Sequence, residues 1–140
     1  MKYLLLFTTL FIGQFASAHG EDQPGPHGGK IEMAENVHVE VNADEDGSFH
    51  IFLLDGNILN PTVKNSSLKA VIKSAQKDMK MSCSVMAGTH YHCKMNGTRP
   101  NEGKLYLKAN RDGVKVDFEY DLSKLQPSKI KSEQKSGHHH

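Results

Sequence analysis

Residues 79–95, MKMSCSVMAGTHYHCKM, hold both cysteines of the chain, four of its six methionines and two of its nine histidines. Thiolates, thioethers and imidazoles are ligands for copper and zinc. The same residue types also build a disulfide-stapled hairpin in which methionine fills the core. Compartment separates the two readings, because exported cysteines pair whereas reduced ones stay free to bind Cu(I). A hairpin centred on Gly88 sets Cys83 opposite Cys93, where Cβ atoms approach closely enough for a disulfide in a non-hydrogen-bonded pair. In that register Met79, Met81, Cys83, Val85, Tyr91, Cys93 and Met95 share one apolar face, expected to be the core side. Ser82, Ser84, Met86, His90, His92 and Lys94 share the other. His90 and His92 are then about 7 Å apart along the strand, with Met86 opposite His90. Cys83 and Cys93 are therefore expected as a disulfide. Met86, His90 and His92 form the part able to take a metal ion, the alternative being two solvated histidines.

Export is argued from the other end of the chain. Lys2, the apolar run YLLLFTTLFIG and the small residues Ala16-Ser17-Ala18 follow the pattern of a cleaved secretory signal. The apolar run is too short to span a bilayer. Cleavage after Ala18 makes His19 the first residue, and its α-amino group and imidazole together form a chelate. In this the chain resembles copper-resistance β-sandwich proteins and copper monooxygenases that use an amino-terminal histidine. A periplasmic or secreted location without a stable membrane anchor is expected.

A second resemblance spans more residues. GPHGGKIEMAENVHVEV, residues 25–41, followed by FHIFLLDGN, residues 49–57, is similar to small secreted bacterial proteins with a Pro-His-Gly-Gly segment. It is also similar to periplasmic parts of heavy-metal efflux adaptors. The resemblance implies metal handling and marks His27 and His38 as ligands. Hydrogen bonds from His27 that cap the end of the sandwich are the other reading of the same motif.

These candidates must be held by strands. Val37, Val39, Val41 and Ala43 alternate with polar residues, and so do Phe49, Ile51 and Leu53. If Glu45-Asp46-Gly47 is a three-residue bulged loop, Asp44 faces Ser48, Val41 faces Ile51 and Val39 faces Leu53. Asp44, Glu45 and Asp46 lack the remaining ligands of a calcium loop and read as a solvated turn. His50 lies off the core face but opposite Asn42, so it is left out of the ligand set. SSLKAVIK fits either a helix or a strand and is assigned to a strand by its neighbours. Residues 104–109 and 114–122 flank the turn NRDG as a final hairpin. The expected fold is all-β: an antiparallel β-sandwich, immunoglobulin-like, of about seven strands. The organisation is a signal peptide at 1–18, an irregular arm at 19–29, the sandwich at 30–126 and a disordered polar tail at 127–140.

The chain has 17 basic and 16 acidic side chains, and removal of Lys2 balances them. That takes away the simplest electrostatic case for nucleic acid or an anionic membrane. P-loop, dinucleotide, G-x-S-x-G and C-x-x-C motifs are missing, and an enzyme is not expected. The favoured reading is an exported carrier or buffer of copper, with zinc second, that serves a metal efflux system or another periplasmic protein. The alternative is a secreted β-sandwich interaction module with no metal function.

Overall fold

The computed structural model describes residues 24–127; the signal-like segment, His19 and the histidine-ended tail lie outside them. Nine strands form two antiparallel sheets. The first sheet contains β1 (Lys30–Ala34), β2 (Val37–Ala43), β3 (Phe49–Leu54), β6 (Ser82–Met86) and β7 (His90–Lys94), in the order β1-β2-β3-β7-β6. The second contains β4 (Ser66–Lys73), β5 (Asp78–Lys80), β8 (Lys104–Arg111) and β9 (Val114–Asp121), in the order β5-β4-β8-β9. The all-β sandwich expected from the alternation is what the chain forms, with nine strands in place of about seven. β1 pairs along β2, and the short β5 is the end of a run that the sequence joined to β6.

The core is made by the odd-numbered side chains of β2 and β3, and by Tyr91 and Cys93 of β7. These meet Ala70, Ile72, Leu105, Leu107, Val116, Phe118 and Tyr120 from the second sheet. The Tyr120 hydroxyl crosses the core to donate to the Val39 carbonyl at 2.7 Å, a buried polar link between the layers. The β2–β3 register is as the alternation demands: Val41 pairs with Ile51 and Val39 with Leu53. The Asp44 amide donates to the Ser48 carbonyl at 2.9 Å, and Gly47 supplies the positive φ that closes the loop. SSLKAVIK is a strand, paired with β8 over its full length.

Cys83 pairs with Cys93 across β6–β7 and is disulfide-bonded to it. The single apolar face expected for residues 79–95 needs two corrections. Met79 belongs to β5, in the opposite sheet. The chain changes sheet at Met81, whose amide donates to the Ala70 carbonyl. Met79, Met81, Cys83 and Met95 still pack against the core, now from two layers. Val85 is 57% exposed. It has core parity but sits at the turn end of an edge strand, where the opposite layer does not cover it.

Candidate metal centre

The outer face of the first sheet carries the even-numbered side chains: Glu40 and Asn42 from β2, His50 and Phe52 from β3, His90 and His92 from β7. Pairing of β3 with β7 puts His50 directly opposite His92. Two imidazoles opposite each other on one face are close neighbours, and these two rings stack at 4.5 Å with planes 10° apart. The bulged turn after β2 brings Asp44 onto the same face. His50 Nε2 lies 2.8 Å from Asp44 Oδ2, and His92 Nε2 lies 3.9 Å from the same oxygen.

Among the described residues, Asp44, His50 and His92 form a group in which one ligand atom from each lies within 4.8 Å of the others. Tetrahedral donors at zinc bond lengths are about 3.4 Å apart. The 2.8 and 3.9 Å separations from Asp44 Oδ2 bracket that value. The group can hold a metal ion by two nitrogens and one oxygen, leaving coordination positions open.

Its surroundings keep the donors in order. Ser48 is buried, donates its hydroxyl proton to Asp46 Oδ1 at 2.5 Å, and stands 3.0 Å from His92 Nε2. Hydrogen bonds from the Ser48 hydroxyl and amide hold Asp46 below the usual carboxylate range. Burial, with His50 and Lys94 nearby, lowers the pKa of His92, against the opposing pull of Asp44 and Asp46. Burial, followed by His50, His27 and His92, lowers that of His90. Both shifts favour the neutral imidazole, the form that binds metal.

The structure distributes the sequence candidates unevenly. His92 is in the group. His90 is one step behind it: its Nε2 is 3.0 Å from His50 Nδ1, and its Nδ1 is 2.9 Å from the Thr89 hydroxyl. Met86 pairs with His90 on the edge strand and is partly exposed. His38 is buried, with Nδ1 3.0 Å from the Asp55 carbonyl. His19 lies outside the described residues. His27 is held elsewhere on the face. Its amide donates to Glu40 Oε1 and its Nδ1 meets Glu40 Oε2, both at 2.8 Å, while its ring stacks on Phe52 at 3.8 Å.

The glycines of the Pro-His-Gly-Gly segment serve that second arrangement. A Cβ at Gly25 would overlap the Glu40 carboxylate, and one at Gly29 would overlap Asn42 and the Val41 carbonyl. Gly28 has φ +82°, which turns the arm back onto the sheet. His27 makes the hydrogen bonds of the capping reading through its amide and Nδ1, and it is not one of the Asp44, His50 and His92 group.

His50 and Asp44 are the two residues that sequence reasoning missed. His50 does lie opposite Asn42, on β2, but its other neighbour is His92 on β7. Asp44 was expected in a solvated turn, yet it faces both rings. The signal in the sequence was shared parity: Asp44, His50, His90 and His92 all fall on outward positions of adjoining hairpins. No family model, curated protein or solved structure matches this chain.

Proposed function

We propose that this chain is an exported carrier or buffer for a divalent transition-metal ion, bound by Asp44, His50 and His92. The carrying observation is the convergence of two imidazoles and a carboxylate from three chain segments on one point of the sheet face. Nitrogen and oxygen donors without thiolate favour Cu(II) over Zn(II) in affinity, so copper comes first and zinc second. Three protein ligands leave room for water or for a ligand from a partner, which suits exchange with a metal efflux system or another periplasmic protein. Export is supported by the Cys83–Cys93 disulfide, a bond that persists in oxidising compartments. Among the described residues no helix is long and apolar enough to cross a membrane.

The test uses the full chain with His19, His138, His139 and His140 replaced by alanine, so that only internal histidines report. Competition against a chromophoric chelator should give one Cu(II) or one Zn(II) per chain. His50→Ala/His92→Ala should weaken binding by more than the roughly 10–100-fold that changes outside the ligand set cause. His38→Gln should leave it unchanged. Binding that survives the double substitution in a folded protein overturns the assignment.

A further inference from the structure

His50 is the middle member of a row, and both of its ring nitrogens are engaged. Nε2 faces Asp44 Oδ2 at 2.8 Å, and Nδ1 faces His90 Nε2 at 3.0 Å. His90 Nδ1 in turn faces the Thr89 hydroxyl at 2.9 Å. A neutral imidazole has one N–H and one lone pair, and an ionised carboxylate only accepts. In a neutral His50 the N–H therefore sits on Nε2, facing Asp44, and Nδ1 is a bare acceptor. His90 must meet that lone pair with its own Nε2–H, which leaves its Nδ1 to accept from Thr89. The row runs from Thr89 through His90 and His50 to Asp44.

An ion on His50 Nε2 occupies the lone pair there, so the single proton of that ring must sit on Nδ1. Two N–H groups cannot face each other at 3.0 Å. We propose that His90 is a positioning residue that sets the tautomer of His50, and that loading the metal centre reverses the hydrogen-bond direction along this row. The proposal rests on the metal reading of Asp44, His50 and His92.

The protons balance. The proton on His90 Nε2 crosses to His50 Nδ1. The proton displaced from His50 Nε2 leaves to solvent, and one from solvent arrives at His90 Nδ1, which now donates to Thr89. Each ring holds one proton before and after. Phe52 stacks on His90 at 4.4 Å and is itself covered by His27 at 3.8 Å, so one face of the His90 ring is packed. A hydrogen-bond acceptor behind a metal-bound histidine fixes the ring and raises its basicity.

The experiment uses the same full chain lacking the four outlying histidines, with ¹⁵N-labelled histidine, at pH 7.5. Long-range ¹H–¹⁵N spectra report the tautomer of each ring, with Zn(II) as the diamagnetic probe. His50 and His90 should both change from Nε2–H to Nδ1–H on loading. His90→Leu should weaken Zn(II) binding about 10–100-fold. His90→Gln should bind within about threefold of the parent, because an amide can donate or accept as the row requires. An unchanged His90 tautomer overturns the proposal, as does a His90→Leu protein that binds like the parent. Equal losses in the leucine and glutamine variants overturn it too, by making His90 a ligand. If His90→Leu does not fold, the spectra of the parent and His90→Gln decide. A parent chain that binds neither Cu(II) nor Zn(II) brings down the metal reading itself, whereas binding without tautomer reversal brings down only this proposal.

Discussion

His27 with Glu40 and His50 with Asp44 are both imidazole–carboxylate pairs at 2.8 Å, on one face of one sheet. Their surroundings are opposite. The Glu40 side chain is 0% exposed, and its oxygens take three donors: the His27 amide, the Gly29 amide and His27 Nδ1. The Asp44 side chain is 42% exposed, and its Oδ2 lies 2.8 Å from His50 Nε2 and 3.2 Å from Ser48 Oγ, whose proton goes to Asp46. A buried carboxylate that already takes three donors acts as a latch that ties residues 25–29 to β2. A carboxylate at the rim, beside a second imidazole, keeps lone pairs available. The distinction between a fastening and a binding site lies in the unused acceptor capacity around the pair.

The largest expected effect breaks the latch. Glu40→Ala leaves the His27 and Gly29 amides without their acceptor and removes one half of a buried pair. It should cost about 3–5 kcal/mol of stability. Glu40→Gln keeps an oxygen for the amides and should cost about 1 kcal/mol. Urea unfolding measures both. Metal affinity of the folded Glu40→Gln protein should match the parent. Weakened metal binding with intact stability would show that the two pairs are one system.

The contrast also shows what the sequence could and could not reveal. Short-range pairing was legible. The β2–β3 register, the Cys83–Cys93 bridge and the last hairpin all follow from alternation and turn residues, because a slip of one residue would turn every apolar side chain outward. The candidate metal centre was not legible as a unit, because its decisive contact is between β3 and β7. His50 and His92 are brought together by strand order, and strand order depends on how two sheets pack rather than on any local pattern. Glu40 was invisible for a related reason. By parity it faces outward, and only the returning arm buries it. The exposure of Val85 is the same lesson reversed, since core parity does not guarantee a covering layer.

A smaller effect, of pH, comes from the two rings beside the open pair. Burial lowers the pKa of His90 and of His92 from 6.5, the value near which they titrate once unfolded. The unfolded chain therefore binds protons more readily than the folded one just below that value. Stability from these rings is present in full above about pH 6.5 and is lost as pH falls toward their folded values. The groups facing them are His27, His50, Lys94, Asp44 and Asp46. Urea midpoints without metal should fall between pH 7.5 and pH 5.5. His90→Gln/His92→Gln should fall less over the same interval. Equal slopes in the two proteins would remove the open pair's neighbours as the source.

The smallest expected effect concerns Met86, the thioether that the sequence placed with His90 and His92. It does pair with His90, on the outward face of the edge strand. The ion, however, is assigned to the Nε2 side of His50, with Asp44 and His92, while His90 and Met86 lie toward its Nδ1 side. Leucine matches methionine in volume and lacks the sulfur. Met86→Leu should therefore change stability by no more than about 0.5 kcal/mol at this partly exposed site. Cu(II) and Zn(II) affinities should stay within about twofold, since neither ion requires a thioether. A tenfold loss of copper binding with zinc unaffected would give the opposite result. It would move the ion to the Met86–His90 side and make the soft sulfur, rather than the Asp44 carboxylate, the group that selects the metal.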